Sequence, residues 1–138
     1  MIIGVGTDLV DCRRIERAIN QKGQRFLDRL FTPQEQTRCN RRLQKAQSFG
    51  KIYAAKEATL KAIGNVSGIH WKEIEINHLP SGKPVVNLTG QALVNFNGLF
   101  AENQLGKIDL SLTDEPPYAQ AFVIITVLSI NCIKDKNP

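Results

Sequence analysis

Four side chains in this sequence have types and spacings that could do chemistry together. They are Asp8, in the apolar opening MIIGVGTDLV, and Lys56, Glu57 and Lys61, in the alanine-rich stretch YAAKEATLKAIG. Wound at about 100° per residue, residues 49–64 place Phe49, Ile52, Tyr53, Leu60 and Ile63 on one apolar arc. Lys56 falls inside that arc, where a charge is costly unless something pairs with it. Glu57 and Lys61 follow at its edge, four residues apart, where a carboxylate and an ammonium are neighbours. Taken alone, such a pair is more often an exposed helix salt bridge, worth about 0.3–0.5 kcal/mol. With Lys56 beside them, they suit a magnesium ion held by carboxylate oxygens with phosphates alongside. Magnesium takes one or two carboxylates, keeps several waters and shares the substrate's phosphate oxygens. One strand-end aspartate and one helix glutamate would be sufficient.

Asp8 follows two glycines, Gly4 and Gly6, which would let the backbone approach a ligand closely; the plainer alternative is an aspartate at a helix entry. A dinucleotide fingerprint would need a third glycine at position 9, which is Leu9. His70 and His78 lack a metal-ligand spacing to each other and read as structural. The sequence offers no Ser/His/Asp triad, zinc cluster or Walker loop.

These residues need elements to hold them. Residues 2–10 read as a strand ending near Asp8, after which Asp11 could cap a helix over 12–21 closed by Gly23. A second helical pattern covers 25–31. The run TPQE supplies Thr32 as cap, Pro33 in the first helical position and Glu35 three residues after the cap, a capping box. A central helix is predicted over 43–63, stopping at Gly64. Beyond it WKEIEINHL and VVNL read as strands around the turn PSGKP. A helix over 91–103, a strand KIDLSLTD and a final strand AQAFVIITVLSI complete the order. One strand, a helical block and then strands around one more helix predict an α+β fold, a mainly antiparallel sheet packed on a long central helix.

With 138 residues, the chain is sized for a single domain over 1–138 with its own core. Cys12, Cys39 and Cys132 lack the close pairing of a zinc site, and three cannot all pair within one chain, which points to a reducing, cytoplasmic setting. The N-terminus is a poor signal peptide, and the longest apolar run, 121–128, is short of the roughly 20 residues that span a bilayer. No membrane association is expected. Charge is concentrated: residues 1–62 hold thirteen Lys/Arg against six Asp/Glu, net +7, whereas residues 63–138 hold five against seven, net −2. The basic half, from Arg13, Arg14 and Arg17 to Arg42 and Lys45, suits an anionic partner, or is simply a solvated helical surface.

Gly6-Thr7-Asp8 together with Tyr53-Ala54-Ala55-Lys56-Glu57-Ala58-Thr59-Leu60-Lys61 resembles the two motifs of the holo-acyl-carrier-protein synthases, the small bacterial 4′-phosphopantetheinyl transferase family. The second motif, aromatic-x-x-Lys-Glu-Ala-x-x-Lys, is the specific one. GKPVVNLTGQAL and DLSLTDEPPYAQAFVII also resemble the family's adenylate-side turn and final hairpin, so the likeness covers nearly the whole chain. The resemblance implies transfer of the phosphopantetheine arm of coenzyme A to a serine of apo acyl carrier protein, leaving adenosine 3′,5′-bisphosphate, in support of fatty acid biosynthesis. Carried over by motif position, Asp8 and Glu57 would hold Mg²⁺ against the pyrophosphate of coenzyme A, and Lys61 would offset charge on the leaving phosphate. Within this frame Lys56 is expected to cross the apolar face to an anion or a backbone carbonyl at the site, supporting the phosphates or holding Glu57. Lys83, in the SGKP turn, is a candidate for the adenosine 3′-phosphate.

The resemblance also implies docking of the acidic carrier protein on the first helices, for which Arg13, Arg14, Arg17 and Arg25 are the candidates, with steering that weakens as salt rises. It implies a homotrimer with the coenzyme site between subunits. Three positions depart from family patterns: Val10, where larger members have a second acid; Ile52, where many have a basic residue; and Asp114, where many have histidine and to which no catalytic part is assigned. Two other readings compete. A basic nucleic-acid-binding module is favoured by the pI of about 9.3 but opposed by an aromatic content of only 7% and the lack of a recognised binding motif. The other is a different magnesium enzyme acting on nucleotide pyrophosphates.

Overall fold

The structure, a computed structural model, describes residues 1–129 of the 138. Ile130, the last residue of the predicted final strand, and Cys132 lie outside the described residues. Strand β1 (Ile2–Asp11) leads into three helices, α1 (Cys12–Lys22), α2 (Gln24–Leu30) and α3 (Pro33–Asn40), and then into the long α4 (Lys45–Ile63). A 3₁₀ turn (Trp71–Glu73), the hairpin β2 (Ile74–His78) and β3 (Pro84–Leu88), α5 (Gly90–Asn97) and the paired strands β4 (Gln104–Glu115) and β5 (Tyr118–Ser129) follow. The strands form two antiparallel sheets, one ordered β1-β5-β4 and one of β2 and β3.

Helix starts and stops follow local chemistry. Asp11 caps α1 by accepting from the Arg13 backbone N–H at 3.0 Å, and Gly23, at φ 61°, closes it. Thr32 and Glu35 form the expected capping box at the start of α3. Several boundaries differ from expectation. Helix α4 begins at Lys45, two residues later than the pattern predicts, with Leu43 left fully exposed ahead of it. Helix α5 ends at Asn97, because Gly98 closes the turn on Val94 and Phe100 folds back to stack edge-on against Phe96 at 5.0 Å. Trp71–Glu73 forms the 3₁₀ turn in place of the first residues of a strand.

Helix α4 is the centre of the molecule. Its residues Ala54, Ala55, Ala58 and Ala62 are buried against β1 and β5, whose Val10, Ala121, Val123 and Ile125 supply the facing core. Methyl-sized side chains let a helix lie close to a sheet, and β1 takes the approach further with glycine. A Cβ on Gly4 or Gly6 would overlap the carbonyl oxygens of Ala62 and Ala58. These glycines therefore admit α4, not a ligand as the Gly-x-Gly pattern had suggested. Because Asp8 shares the alternation of Gly4, Gly6 and Val10, it lies on the helix-facing side of β1. The ladder also continues past it to Asp11, opposite Tyr118, so Asp8 sits within the strand and not at its end. Among the described residues no helix is long and apolar enough to cross a membrane.

Candidate active site

Asp8, far in sequence from Glu57 and Lys61, lines with them one cleft of roughly 400 Å³ between β1, α1 and α4, together with Tyr53 and Arg14. The Lys61 ammonium donates to the Asp8 carboxylate at 3.2 Å and to the Thr7 carbonyl at 2.9 Å. The sequence had offered Glu57 as the neighbour of Lys61, but the carboxylate it contacts is that of Asp8. Glu57 instead accepts from the Tyr53 hydroxyl at 3.4 Å, one turn earlier on α4. Burial, and next the charge of Asp8, push the Glu57 carboxyl above the ordinary carboxylate range. The Tyr53 phenol is raised mainly by burial and then by Glu57.

A carboxylate such as Glu57, held in a half-buried cleft beside a second carboxylate, is a donor that a hard divalent cation relieves. Among the described residues no group of three or more His, Cys, Asp or Glu side chains could hold a metal. The pair thus suits magnesium, whose other positions go to waters and phosphate oxygens, and does not suit a closed zinc site.

Lys56 crosses the apolar face to an anion and to backbone carbonyls, as expected, but not at this cleft. It is fully buried and lines no part of this cleft. Its ammonium meets the Glu35 carboxylate at 2.7 Å and donates to the carbonyls of Leu30 at 2.7 Å and Trp71 at 3.2 Å. It also lies 5.5 Å from the centre of the Phe31 ring. Burial pulls its basicity down, while Glu35 acts to keep it charged. With three acceptors for three protons and no solvent contact, it has no capacity left for a coenzyme, and the cofactor-binding role expected for it is corrected to an internal tie. The signal that was missed is Glu35: its capping box turns the carboxylate inward, where it also accepts from the Thr32 and Ile76 backbone N–H groups.

Lys83 lies in the β2–β3 turn, away from the Asp8 cleft. Its neighbours Gly82 and Pro84 border a second pocket of roughly 290 Å³, with Arg38, Arg42, Lys51 and His78. Lys51 is drawn 3.6 Å from Asp114 there. The His78 imidazole is held below its ordinary value by burial and then by Arg38, Lys51 and Arg42, and its Nδ1 is buried without a hydrogen-bond partner. Neither Lys51 nor His78 was singled out as a functional candidate from sequence, since hairpin and helix are brought together only by folding. The two pockets share no lining residue and lie at opposite edges of the three-stranded sheet, one by β1 and one by β4. Arg13, Arg14, Arg17 and Arg25 are all exposed on α1 and α2; Arg13 is tied to Asp11 at 2.8 Å, and Arg14 borders the Asp8 cleft.

An antiparallel α+β fold with two carboxylates and a lysine in one cleft between β1 and α4 is a class of site suited to neutralising phosphate charge, and the comparisons give the family. Residues 4–113 match the 4′-phosphopantetheinyl transferase superfamily. The chain is 45% identical over 130 residues to the holo-acyl-carrier-protein synthase of Methylobacterium sp. (strain 4-46), covering 93% of this chain and 96% of that one. Its fold matches the crystal structure of holo-acyl-carrier-protein synthase from Neisseria meningitidis with a TM-score of 0.76 at 33% identity, over 91% of this chain and 99% of that one. It matches the Helicobacter pylori enzyme in complex with coenzyme A with a TM-score of 0.75 at 26% identity, over 88% and 99%. The chain belongs to the holo-acyl-carrier-protein synthase family of 4′-phosphopantetheinyl transferases.

Proposed function

We propose that the chain, as a single domain over 1–138, transfers the 4′-phosphopantetheine group of coenzyme A to a serine of apo acyl carrier protein in the cytoplasm, in support of fatty acid biosynthesis. The observation that carries this reading is the convergence of Asp8, Glu57 and Lys61 in one cleft, in a chain so close to named synthases. The serine oxygen attacks the β-phosphorus of the pyrophosphate. One P–O bond forms to serine as another breaks to adenosine 3′,5′-bisphosphate, which leaves with the electron pair, and the serine proton passes to water. Asp8 and Glu57 would hold Mg²⁺, which when bound neutralises the pyrophosphate and positions its oxygens. Lys61, anchored on Asp8 and the Thr7 carbonyl, keeps an ammonium beside the departing phosphate. Such transfers are accelerated mainly by positioning and charge neutralisation, so three residues of this kind are an adequate set.

The basic pocket of Arg38, Arg42 and Lys51, with Lys83 near its rim, suits the adenosine 3′-phosphate. This pocket borders the β4 edge of the sheet and the Asp8 cleft the β1 edge, so a coenzyme bound between two copies of the chain would use one pocket from each. This supports the proposed homotrimer with shared sites. The exposed arginines of α1 and α2, Arg13, Arg14, Arg17 and Arg25, are the proposed docking surface for the acidic carrier protein.

The test is the intact mass of apo acyl carrier protein incubated with the protein, coenzyme A and MgCl₂. A gain of one phosphopantetheine is expected, lost with EDTA and in Asp8→Ala and Glu57→Gln. Coenzyme A consumed without any change in carrier mass would replace the reading with hydrolysis of the pyrophosphate.

A further inference from the structure

Asp8 and Glu57 are held by different means. Asp8 sits on a strand paired along its length and is fixed further by the Lys61 ammonium. Glu57 projects from a helix on a side chain with three rotatable bonds, and the hydrogen bonds of Lys61 go to Asp8 and Thr7 and not to it. The contact that restrains it is the hydroxyl of Tyr53, donating to Oε1 and leaving Oε2 for another partner. Tyr53 is in turn held by Trp71, whose ring stacks on it at 5.4 Å with the planes 20° apart. Trp71 is fixed through its backbone: its carbonyl accepts from the buried Lys56 ammonium at 3.2 Å and from the Ile74 N–H that closes the 3₁₀ turn. A continuous chain thus runs from the buried Glu35–Lys56 pair through Trp71 and Tyr53 to the carboxylate in the cleft.

We propose that Tyr53 is a positioning residue, its hydroxyl fixing one oxygen of Glu57 so that the other is presented for a divalent cation, with Trp71 as the platform that holds the phenol in place. The proposal rests on the reading of Asp8 and Glu57 as the metal-holding pair. A carboxylate already in its binding orientation loses less conformational freedom when a cation arrives, so removal of the hydroxyl weakens the cation and leaves the chemistry intact once the site is filled. The stacked ring alone, as in phenylalanine, would preserve packing but not this hydrogen bond.

The test uses the full chain with Mn²⁺ alone, its free fraction read by electron paramagnetic resonance, on wild type, Tyr53→Phe, Trp71→Leu and Glu57→Gln. Loss of a hydrogen bond that supports a ligand typically lowers metal affinity about 10–100-fold. For a contact as long as this one, about a 3- to 10-fold loss is expected in Tyr53→Phe, and a loss in Trp71→Leu although the hydroxyl remains. In turnover, Tyr53→Phe should raise the Mg²⁺ concentration for half-maximal rate by the same factor, with kcat at saturating Mg²⁺ unchanged. Unchanged Mn²⁺ affinity in Tyr53→Phe, with binding abolished in Glu57→Gln, would overturn the role of Tyr53 alone. Mn²⁺ binding that survives Glu57→Gln would overturn the metal reading, and the role of Tyr53 with it.

Discussion

Lys56 and Glu57 are adjacent in sequence and face opposite environments, one sealed in the core and one lining a cleft. Successive helical residues differ by about 100° in direction, so a single pair of charges can serve both a packing function and a chemical one. The Lys56–Glu35 pair is satisfied on both sides: three acceptors meet the ammonium, and two backbone N–H groups as well as the ammonium meet the carboxylate. Removing one partner leaves the other as an uncompensated buried charge, which typically costs about 3–5 kcal/mol. Lys56→Met should therefore lower the urea midpoint by that equivalent while the slope of the transition stays constant. A change of less than about 1 kcal/mol would show that the tie contributes little. The charge of Lys56 was legible in the sequence as an anomaly on an apolar arc, but its partner was not. Glu35 reads locally as a capping residue, and only the packing of α3 on α4 and β2 turns that cap into a counter-ion.

At the scale of elements, the contact that positions the cleft is α4 against β1. Gly4 and Gly6 bring the strand backbone to the carbonyls of Ala62 and Ala58, and the same alternation puts Asp8 one step further along the helix-facing side, within reach of the Lys61 ammonium and in the cleft that Glu57 lines. A methyl at Gly6 would meet backbone, which cannot rotate aside, so strand and helix must separate. Overpacking of this kind costs about 1–3 kcal/mol. Gly6→Ala is expected to lose stability in that range and to lose activity beyond what its residual folded fraction explains, because Asp8 moves relative to Glu57. Thermal melting alongside turnover checks this, and full activity in a folded Gly6→Ala protein would refute it. Helix and strand order was legible because capping residues, glycine stops and alternation are local signals. The ends of α4, α5 and the β2 strand shifted through local details that periodicity does not encode: Leu43 stays exposed ahead of α4, Gly98 and the Phe96–Phe100 stack close α5, and a 3₁₀ turn takes up Trp71–Glu73.

At the scale of the whole molecule, the outer face of the three-stranded sheet carries exposed apolar side chains on β1 and β5. Val5 is 52% exposed, Leu9 65% and Phe122 43%, with Ile3 beside them. Contiguous apolar patches of this kind on a sheet mark association surfaces. They support the proposed trimer, in which the face would be covered by neighbouring copies. Sedimentation velocity should give a trimer for the wild type, and a charge placed in the patch, as in Val5→Glu, should give a slower species with transferase activity lost. A monomer in the wild type that retains full activity would sink the shared-site proposal.

The sequence by itself determined what depends on local physics: the capped helices, the antiparallel α+β order, the concentration of positive charge in the first half, and the motif residues Asp8, Glu57 and Lys61. Each of these is set by spacings of a few residues or by side-chain chemistry alone. Tertiary structure decided which charges meet. Lys61 turned to Asp8 and not to its helix neighbour Glu57, Lys56 turned inward to Glu35, and Lys51 and His78 were gathered with Arg38 and Arg42 into one pocket. The physical reason is that an ion pair or a stacked ring depends on distances across elements, which residue spacing along the chain does not set; for Lys61 and Asp8 the distance follows from how closely α4 can approach a strand that carries glycine at positions 4 and 6.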